Sequence, residues 1–163
     1  MGYVDNNLVT GEVVTYRGGL HWVVLFGPLS IALILGLSGL AMFVVGRSAD
    51  NAALKESTAI VGAVAVFIAV VCLLVGIVRK NSAEFAITNK RVIFKTGVVQ
   101  RRTEEIFLHK IESVAVDQGL LGRMLNFGTV SVRGTGGTFE PFRNVSHALE
   151  FRRQVQEQIS QSR

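Results

Sequence analysis

Two long stretches of the chain are apolar without interruption. No Asp, Glu, Lys or Arg occurs from Gly18 to Gly46, and none from Ser57 to Val78. Each stretch exceeds the roughly 20 apolar residues that cross a bilayer core about 30 Å thick. With only the polar loop Arg47–Glu56 between them, they predict a transmembrane helical hairpin, with spans at about residues 20–45 and 57–78. A cleaved leader does not fit the first stretch, which is too long, starts well inside the chain and is preceded by Asp5 and Glu12. Trp22 and His21 stand near its start, where amphipathic rings suit the interface, and Pro28 is expected to kink or locally reset the helix. Small residues recur at four-residue spacing: Ala32 with Gly36, Ala59 with Ala63, Ala65 with Ala69, and Cys72 with Gly76. That spacing lets helix backbones approach closely in lipid, either between the two spans or between protomers.

The pattern changes after Asn81. Short β-favouring runs alternate with turn signals, as in a meander of strands. Glu84–Thr88 places Phe85 and Ile87 on one face, and Thr88–Lys90 turns into Arg91–Lys95. Gly97 punctuates, Val98–Ile106 forms a third strand and Lys110–Val116 a fourth. Between them and the next strand, Gly119–Gly122 with Arg123 is expected to make a tight connection or one helical turn, with Leu120, Leu121 and Leu125 packing inward. Thr129–Arg133 alternates as a half-buried strand, and Gly134–Gly137 turns into Thr138–Val145. From Ser146 to Gln161 the apolar positions Ala148, Phe151, Val155 and Ile159 form one helical stripe, with Ser146 or Asn144 as its N-cap. The fold class is therefore α+β: a two-helix hairpin, then a bent antiparallel sheet capped by an amphipathic C-terminal helix. The chain falls into a short N-terminal segment (1–17), the hairpin (18–80) and a C-terminal domain (81–163). In the first piece, the alternation of Val13, Thr15 and Arg17 points to one strand or an extended lead-in to the membrane.

Ile87–Phe94, Gly97, Ile106–Val116, Gln118–Leu125, Phe127–Gly137 and Pro141–Val145, followed by the amphipathic helix, agree in order and spacing with one family. The stretch from about 81 to 160 resembles the bacterial pleckstrin-homology-like (PH) domains, many of which follow a transmembrane pair. The resemblance implies about seven strands in a strongly bent sheet, closed by the last helix, and a platform for lipids, peptides or partner proteins. Phosphoinositide-binding relatives carry a long basic loop between their first two strands. Here the corresponding connection is Thr88–Arg91, too short for such a pocket.

Charge adds one further element. Residues 79–163 carry fourteen Lys plus Arg against eight Asp plus Glu, whereas the rest of the chain carries three against four. Arg79 and Lys80 directly follow the second span, which places both termini on the cytoplasmic side of the inner (plasma) membrane. The candidates for contact with anionic headgroups are Arg79, Lys80, Lys90, Arg91, Lys95, Arg101 and Arg102, each contributing about 1 kcal/mol when close to the surface. No catalytic constellation is visible. Glu104 and Glu105 are adjacent and would face opposite ways on a strand. The sequence Gly134–Thr138 lacks the Gly-Lys-Ser/Thr ending of a phosphate loop. His21, His109, His147 and Cys72 share no metal-ligand spacing, and the lone cysteine allows no internal disulfide. No enzyme, cofactor or metal is expected. The basic residues lack interleaved aromatics, which argues against nucleic acid. The function expected is a non-enzymatic membrane-anchored binding or scaffold module that engages a partner protein, itself or anionic lipid. The alternative is a subunit of a homo-oligomeric transport or channel assembly, although the spans hold no charge to carry a proton or ion.

Overall fold

A computed structural model describes residues 3–48, 50–97, 102–138 and 141–161. Two compact units result: Met1–His21 together with Arg79–Arg163, and Trp22–Val78.

The second unit is a pair of helices. A 3-10 turn at Trp22–Leu25 leads into a helix at Phe26–Arg47, and a second helix runs from Ala52 to Asn81. Numbering the helices in chain order, with a short one at Tyr3–Asn6 as α1, these are α2 and α3. The segments Trp22–Arg47 and Ala52–Asn81 are long and apolar enough to cross a membrane, with mean hydropathies of 2.3 and 3.1. Pro28 does not kink a helix interior as expected. It lies in the first turn of α2, where the missing N–H has no partner to lose, and the break falls before it, in the 3-10 turn.

The small residues buried in the hairpin follow another spacing than the four-residue pairs expected. Ala32, Gly39 and Gly46 in α2, and Gly62, Ala69 and Gly76 in α3, recur at seven-residue steps. Residues seven apart stay on one side of a helix, the spacing of a left-handed helix pair. Gly36 and Ala63, from the expected pairs, lie outside that seam. Backbone meets backbone at Gly39 and Gly62, where a Cβ on either would come within 2.8 Å or 2.7 Å of the other's carbonyl oxygen. Thr58 meets Gly46, and Pro28 meets Gly76.

The first unit is the β-rich domain. Its strands are β1 (Val14–Gly18), β2 (Glu84–Thr88), β3 (Arg91–Thr96), β4 (Arg102–Phe107), β5 (Ile111–Asp117), β6 (Phe127–Gly134), β7 (Gly137–Thr138) and β8 (Phe142–Ser146). A short helix α4 (Leu120–Leu125) joins β5 to β6, and α5 (Ala148–Gln161) closes the chain. All pairings are antiparallel. One sheet has the order β1-β2-β3-β4; the other has β5-β6-β7, with β8 also on β6. Among the described residues seven strands thus follow the two long helices, the number the family resemblance implies, and α5 packs as the expected cap. Ser146 and Asn144, the expected N-caps, lie in β8, and His147 stands immediately before α5. Of the third predicted strand, residues 98–101 lie outside the described residues.

The core lies between the sheets and α5. Phe85, Ile87, Val92, Phe94, Ile106, Val130, Val132, Val145, Phe151 and Val155 are all at most 3 % exposed. Phe94 stacks on Phe142 at 4.0 Å across the two sheets, and Phe151 of the helix stripe meets Phe94 at 5.6 Å and Tyr16 at 6.0 Å. The other face of the first sheet is also covered. Ala86 and Ile93, which alternate with the core positions, are buried against Val4 of α1, with Leu8 and Val14 beside them.

β1 therefore belongs to the domain sheet, and the long apolar helices lie between β1 and β2 in sequence. Gly18 is opposite Phe85 in the ladder, so the chain returns from Asn81 to within a strand spacing of where it left. Beyond β1, Leu20 bridges to Val145 and Ser146 donates its N–H to the Gly19 carbonyl (3.0 Å), which joins the two sheets at this corner.

Replacing Gly62 by Leu is expected to lower the stability of the helix pair by about 1–3 kcal/mol, the usual cost of overpacking. Gly36→Leu should be nearly neutral, since no atom lies within 4 Å of the site of its Cβ. Thermal unfolding of the two variants in detergent micelles checks the contrast.

Candidate functional site

The strongest polar constellation sits where the N-terminal arm crosses the β2–β3 hairpin. Glu12 precedes β1, and its side chain is wholly buried. Arg91, the first residue of β3, clasps it through two bonds, Nε to Oε1 and Nη2 to Oε2, both 2.9 Å. The Arg91 Nη1 donates to Glu105 of β4 at 2.6 Å, and Nη2 donates to the Asn7 carbonyl at 2.8 Å. The Thr88 hydroxyl lies 2.8 Å from Glu12 Oε1 and accepts from the Arg91 amide at 2.9 Å. The Val9 N–H supplies a further bond to Glu12 Oε2 at 2.8 Å. Burial pushes the Glu12 carboxyl upward, but the bonds from Arg91, Val9 and Thr88, with the Arg91 charge, outweigh it and hold the carboxyl below its ordinary value. The Arg91 guanidinium is raised correspondingly, first by its bond to Glu12.

Around this clasp the arm makes further polar contacts, beside the apolar cover of Val4 and Leu8. The Val13 N–H donates to Asn89 Oδ1 at 3.0 Å, Asn89 Nδ2 donates to the Gly11 carbonyl, and Lys90 Nζ donates to the Thr10 carbonyl at 2.9 Å. Lys95 lies 3.6 Å from Glu84 and over the Tyr3 ring, 5.3 Å from its centroid. Asp5 pairs with Arg17.

The seven basic candidates therefore separate. Lys90, Arg91 and Lys95 converge on the N-terminal arm and hold it to the sheet. Arg91 and Lys95 are only 11 % and 14 % exposed, so their charges are engaged inside the chain. Arg102 is exposed on β4 and bound to Glu104 at 2.9 Å. Arg79 and Lys80 form the last turn of α3, the first exposed and the second half-buried. Arg101 lies outside the described residues. Sequence reasoning grouped these residues by nearness to the spans. It missed Glu12, which reads as an ordinary surface acid before a weak strand, and whose partner is 79 positions away.

A second cluster lies in the first unit, around His21. His21, the last residue before Trp22, donates its backbone N–H to the Asn144 carbonyl at 2.8 Å. Its ring stacks on Phe127 at 5.1 Å and hydrogen-bonds the Leu125 carbonyl at the end of α4. Lys80 and His147 are within electrostatic reach of it. The expectation that Leu120, Leu121 and Leu125 pack inward is overturned here. Leu120 is 82 % exposed, Leu121 68 % and Met124 81 %, and Leu125 is also exposed. The inward residue of α4 is instead Gly122, whose Cβ would lie 2.6 Å from the Phe127 carbonyl oxygen, so only glycine fits there.

Because the Glu12 carboxyl is held low in the folded state, its contribution to stability is fully present above its ordinary value of 4.5 and is lost as pH falls through the lower folded value. Acid unfolding of the domain should therefore flatten in Glu12→Gln, on top of an overall loss of stability. Arg91→Ala strands a buried carboxylate and is expected to cost about 3–5 kcal/mol. Circular-dichroism melts from neutral pH to well below 4.5 read both effects.

The model of a family described as bacterial PH domain matches residues 24–159, which takes in both long helices, β2–β8 and nearly all of α5. No curated protein matches the chain. The fold drawn by these residues, two long apolar helices with a bent pair of antiparallel sheets capped by a helix, agrees with that match, and PH-like domains are in general binding or scaffold modules rather than catalysts. The chain belongs to the bacterial PH domain family.

Proposed function

We propose that this chain is a non-enzymatic, membrane-anchored docking module. α2 and α3 cross the inner membrane as a hairpin, and the β domain stands on the cytoplasmic face with both termini. The pairing of Gly18 with Phe85 supports this topology, because strands in one ladder must lie on one side of the bilayer. Arg79 and Lys80 at the end of α3 support the cytoplasmic side.

The ligand is a partner protein taken at an open sheet edge, and β5 is the edge of choice. Among the described residues β5 pairs with β6 alone and runs for seven residues, long enough to template an added strand. β4 is the other open edge beside it. It is blunted by Arg102, Glu104 and Glu105, the charged side chains that natural edges use against unwanted pairing. β5 carries Glu112 and Asp117 only towards its ends, with Ser113 and Ala115 exposed between them. That single observation, a long open edge whose middle is free of charge, carries the reading. Anionic lipid contributes through Arg79 and Lys80, about 1 kcal/mol for each charge near the surface. Lys90, Arg91 and Lys95 serve the fold instead. The homo-oligomeric transport reading draws less support, since the buried small residues of α2 and α3 are used against each other within the chain.

In a Cys72→Ala background, Asn51→Cys should react with an impermeant maleimide added outside intact cells, and Ser113→Cys should react only after lysis. The reverse pattern overturns the orientation. A photo-crosslinking residue at Ser113 or Ala115 should give a discrete protein adduct in cells. Adducts indistinguishable from those of a probe at Arg153, on the exposed side of α5, would remove the β5 edge from consideration.

A further inference from the structure

The four exposed apolar side chains of α4 are unusual for a domain whose strands, Phe107 apart, keep their large apolar side chains at least partly buried. The helix is short, but its orientation is fixed from three sides. Gly122 is pressed against the Phe127 carbonyl, Gln118 Nε2 donates to that same carbonyl at 2.9 Å, and Asn126 ends the helix in the left-handed region with φ 61°. With Gly122 inward, Leu120 and Met124, four residues apart, share the outward face, and Leu121 flanks them. Arg123 is exposed beside them. Three large apolar side chains so presented to water would form an unfavourable surface, unless something apolar covers them.

What covers them is indicated by where α4 is held. Its last carbonyl, Leu125, accepts the hydrogen bond of His21, and the His21 ring lies on Phe127 directly after the helix. His21 is the final domain residue before the apolar segment that begins at Trp22, and Lys80, in the last turn of α3, is within electrostatic reach of the same imidazole. Both chain connections to the apolar helices therefore leave the domain at the corner that α4 occupies. A six-residue helix is about 9 Å long, so none of its side chains is far from that corner.

We infer that α4 is a membrane wedge: Leu120, Leu121 and Met124 enter the acyl–headgroup boundary of the bilayer that the chain spans, with Arg123 at the level of the lipid phosphates. This rests on the anchoring proposed above and adds a third attachment to the two covalent ones. Two tethers at one corner leave a domain free to tilt, and a wedge beside them fixes the tilt, and with it the direction in which the β5 edge points. The recognition is of the interface itself, apolar with a negative rim, and does not require a headgroup pocket.

The test uses the full chain, with Cys72→Ala, in liposomes of mixed zwitterionic and anionic phospholipid. Spin labels are placed singly at Met124→Cys, at Arg153→Cys on α5 and at Val64→Cys within α3. Collisions of each label with oxygen, which concentrates in lipid, and with a water-soluble nickel chelate are then compared. The Val64 label should be oxygen-rich and nickel-poor, which verifies the anchor independently. The Met124 label should show an oxygen-to-nickel ratio severalfold above that of Arg153, and intermediate between Arg153 and Val64. A lipid-like Val64 with a water-like Met124 overturns the wedge and leaves the anchor standing, whereas a water-like Val64 overturns the anchor and the wedge with it. A Met124 label shielded from both reagents means that a protein surface, either a partner or a second copy, covers α4, and also overturns the wedge. Leu120→Ser with Met124→Ser should lower the oxygen-to-nickel ratio of a label at Leu121→Cys while leaving that of Val64 unchanged.

Discussion

One guanidinium holds together what the sequence keeps apart. Arg91 reaches Glu12 in the N-terminal arm, Glu105 on the next strand and the Asn7 carbonyl. A buried charge pair is a poor source of net stability, because desolvation offsets most of the attraction. Its value here is positional. Removing either partner leaves the other charged and nearly buried, so the arm has one favourable place on the sheet. From that placement follow the alignment of β1 on β2, the cover that Val4 gives to Ala86 and Ile93, and the corner where Gly19–His21 meets β8.

Much of the architecture was legible because it rests on patterns of long period. The charge-free stretches gave the two long helices, alternation gave Glu84–Thr88 to the residue, and the stripe Ala148, Phe151, Val155 and Ile159 gave α5. The least legible part was the N-terminal arm, whose structure depends on partners some eighty positions away. A signal was nevertheless present. Ala86 and Ile93 stand on the faces of β2 and β3 opposite Phe85 and Phe94, and apolar residues on both faces of a strand imply cover on both. The hairpin seam was misjudged for a related reason. Four-residue spacing is common by chance among so many small residues, and only the partner helix selects Gly39 and Gly62 from them.

The candidate site shows where composition misleads. Seven cations near the spans suggested a headgroup surface, yet Lys90, Arg91 and Lys95 are turned to internal use. In the opposite sense, Leu120, Leu121 and Leu125 were expected in a core because they are apolar. Gly122 decides the matter: it is the one position of α4 that must approach the sheet closely, and it turns its neighbours outward. A glycine inside a short apolar helix can thus be the better marker of the buried side.

The insertion of the apolar helices between β1 and β2 also sets an order of events during synthesis. β1 leaves the ribosome before either long helix exists, and β2 only after both are complete. Until then β1 has no neighbour, Val4 has nothing to cover, and Glu12 lacks its arginine. With α2 and α3 spanning a bilayer as proposed, failure of α3 to insert would strand β1 and β2 on opposite sides and leave the first sheet open. Under that proposal, completion of the domain would report a correct membrane topology, and a misinserted copy would present unpaired strands for proteolysis in place of a working surface.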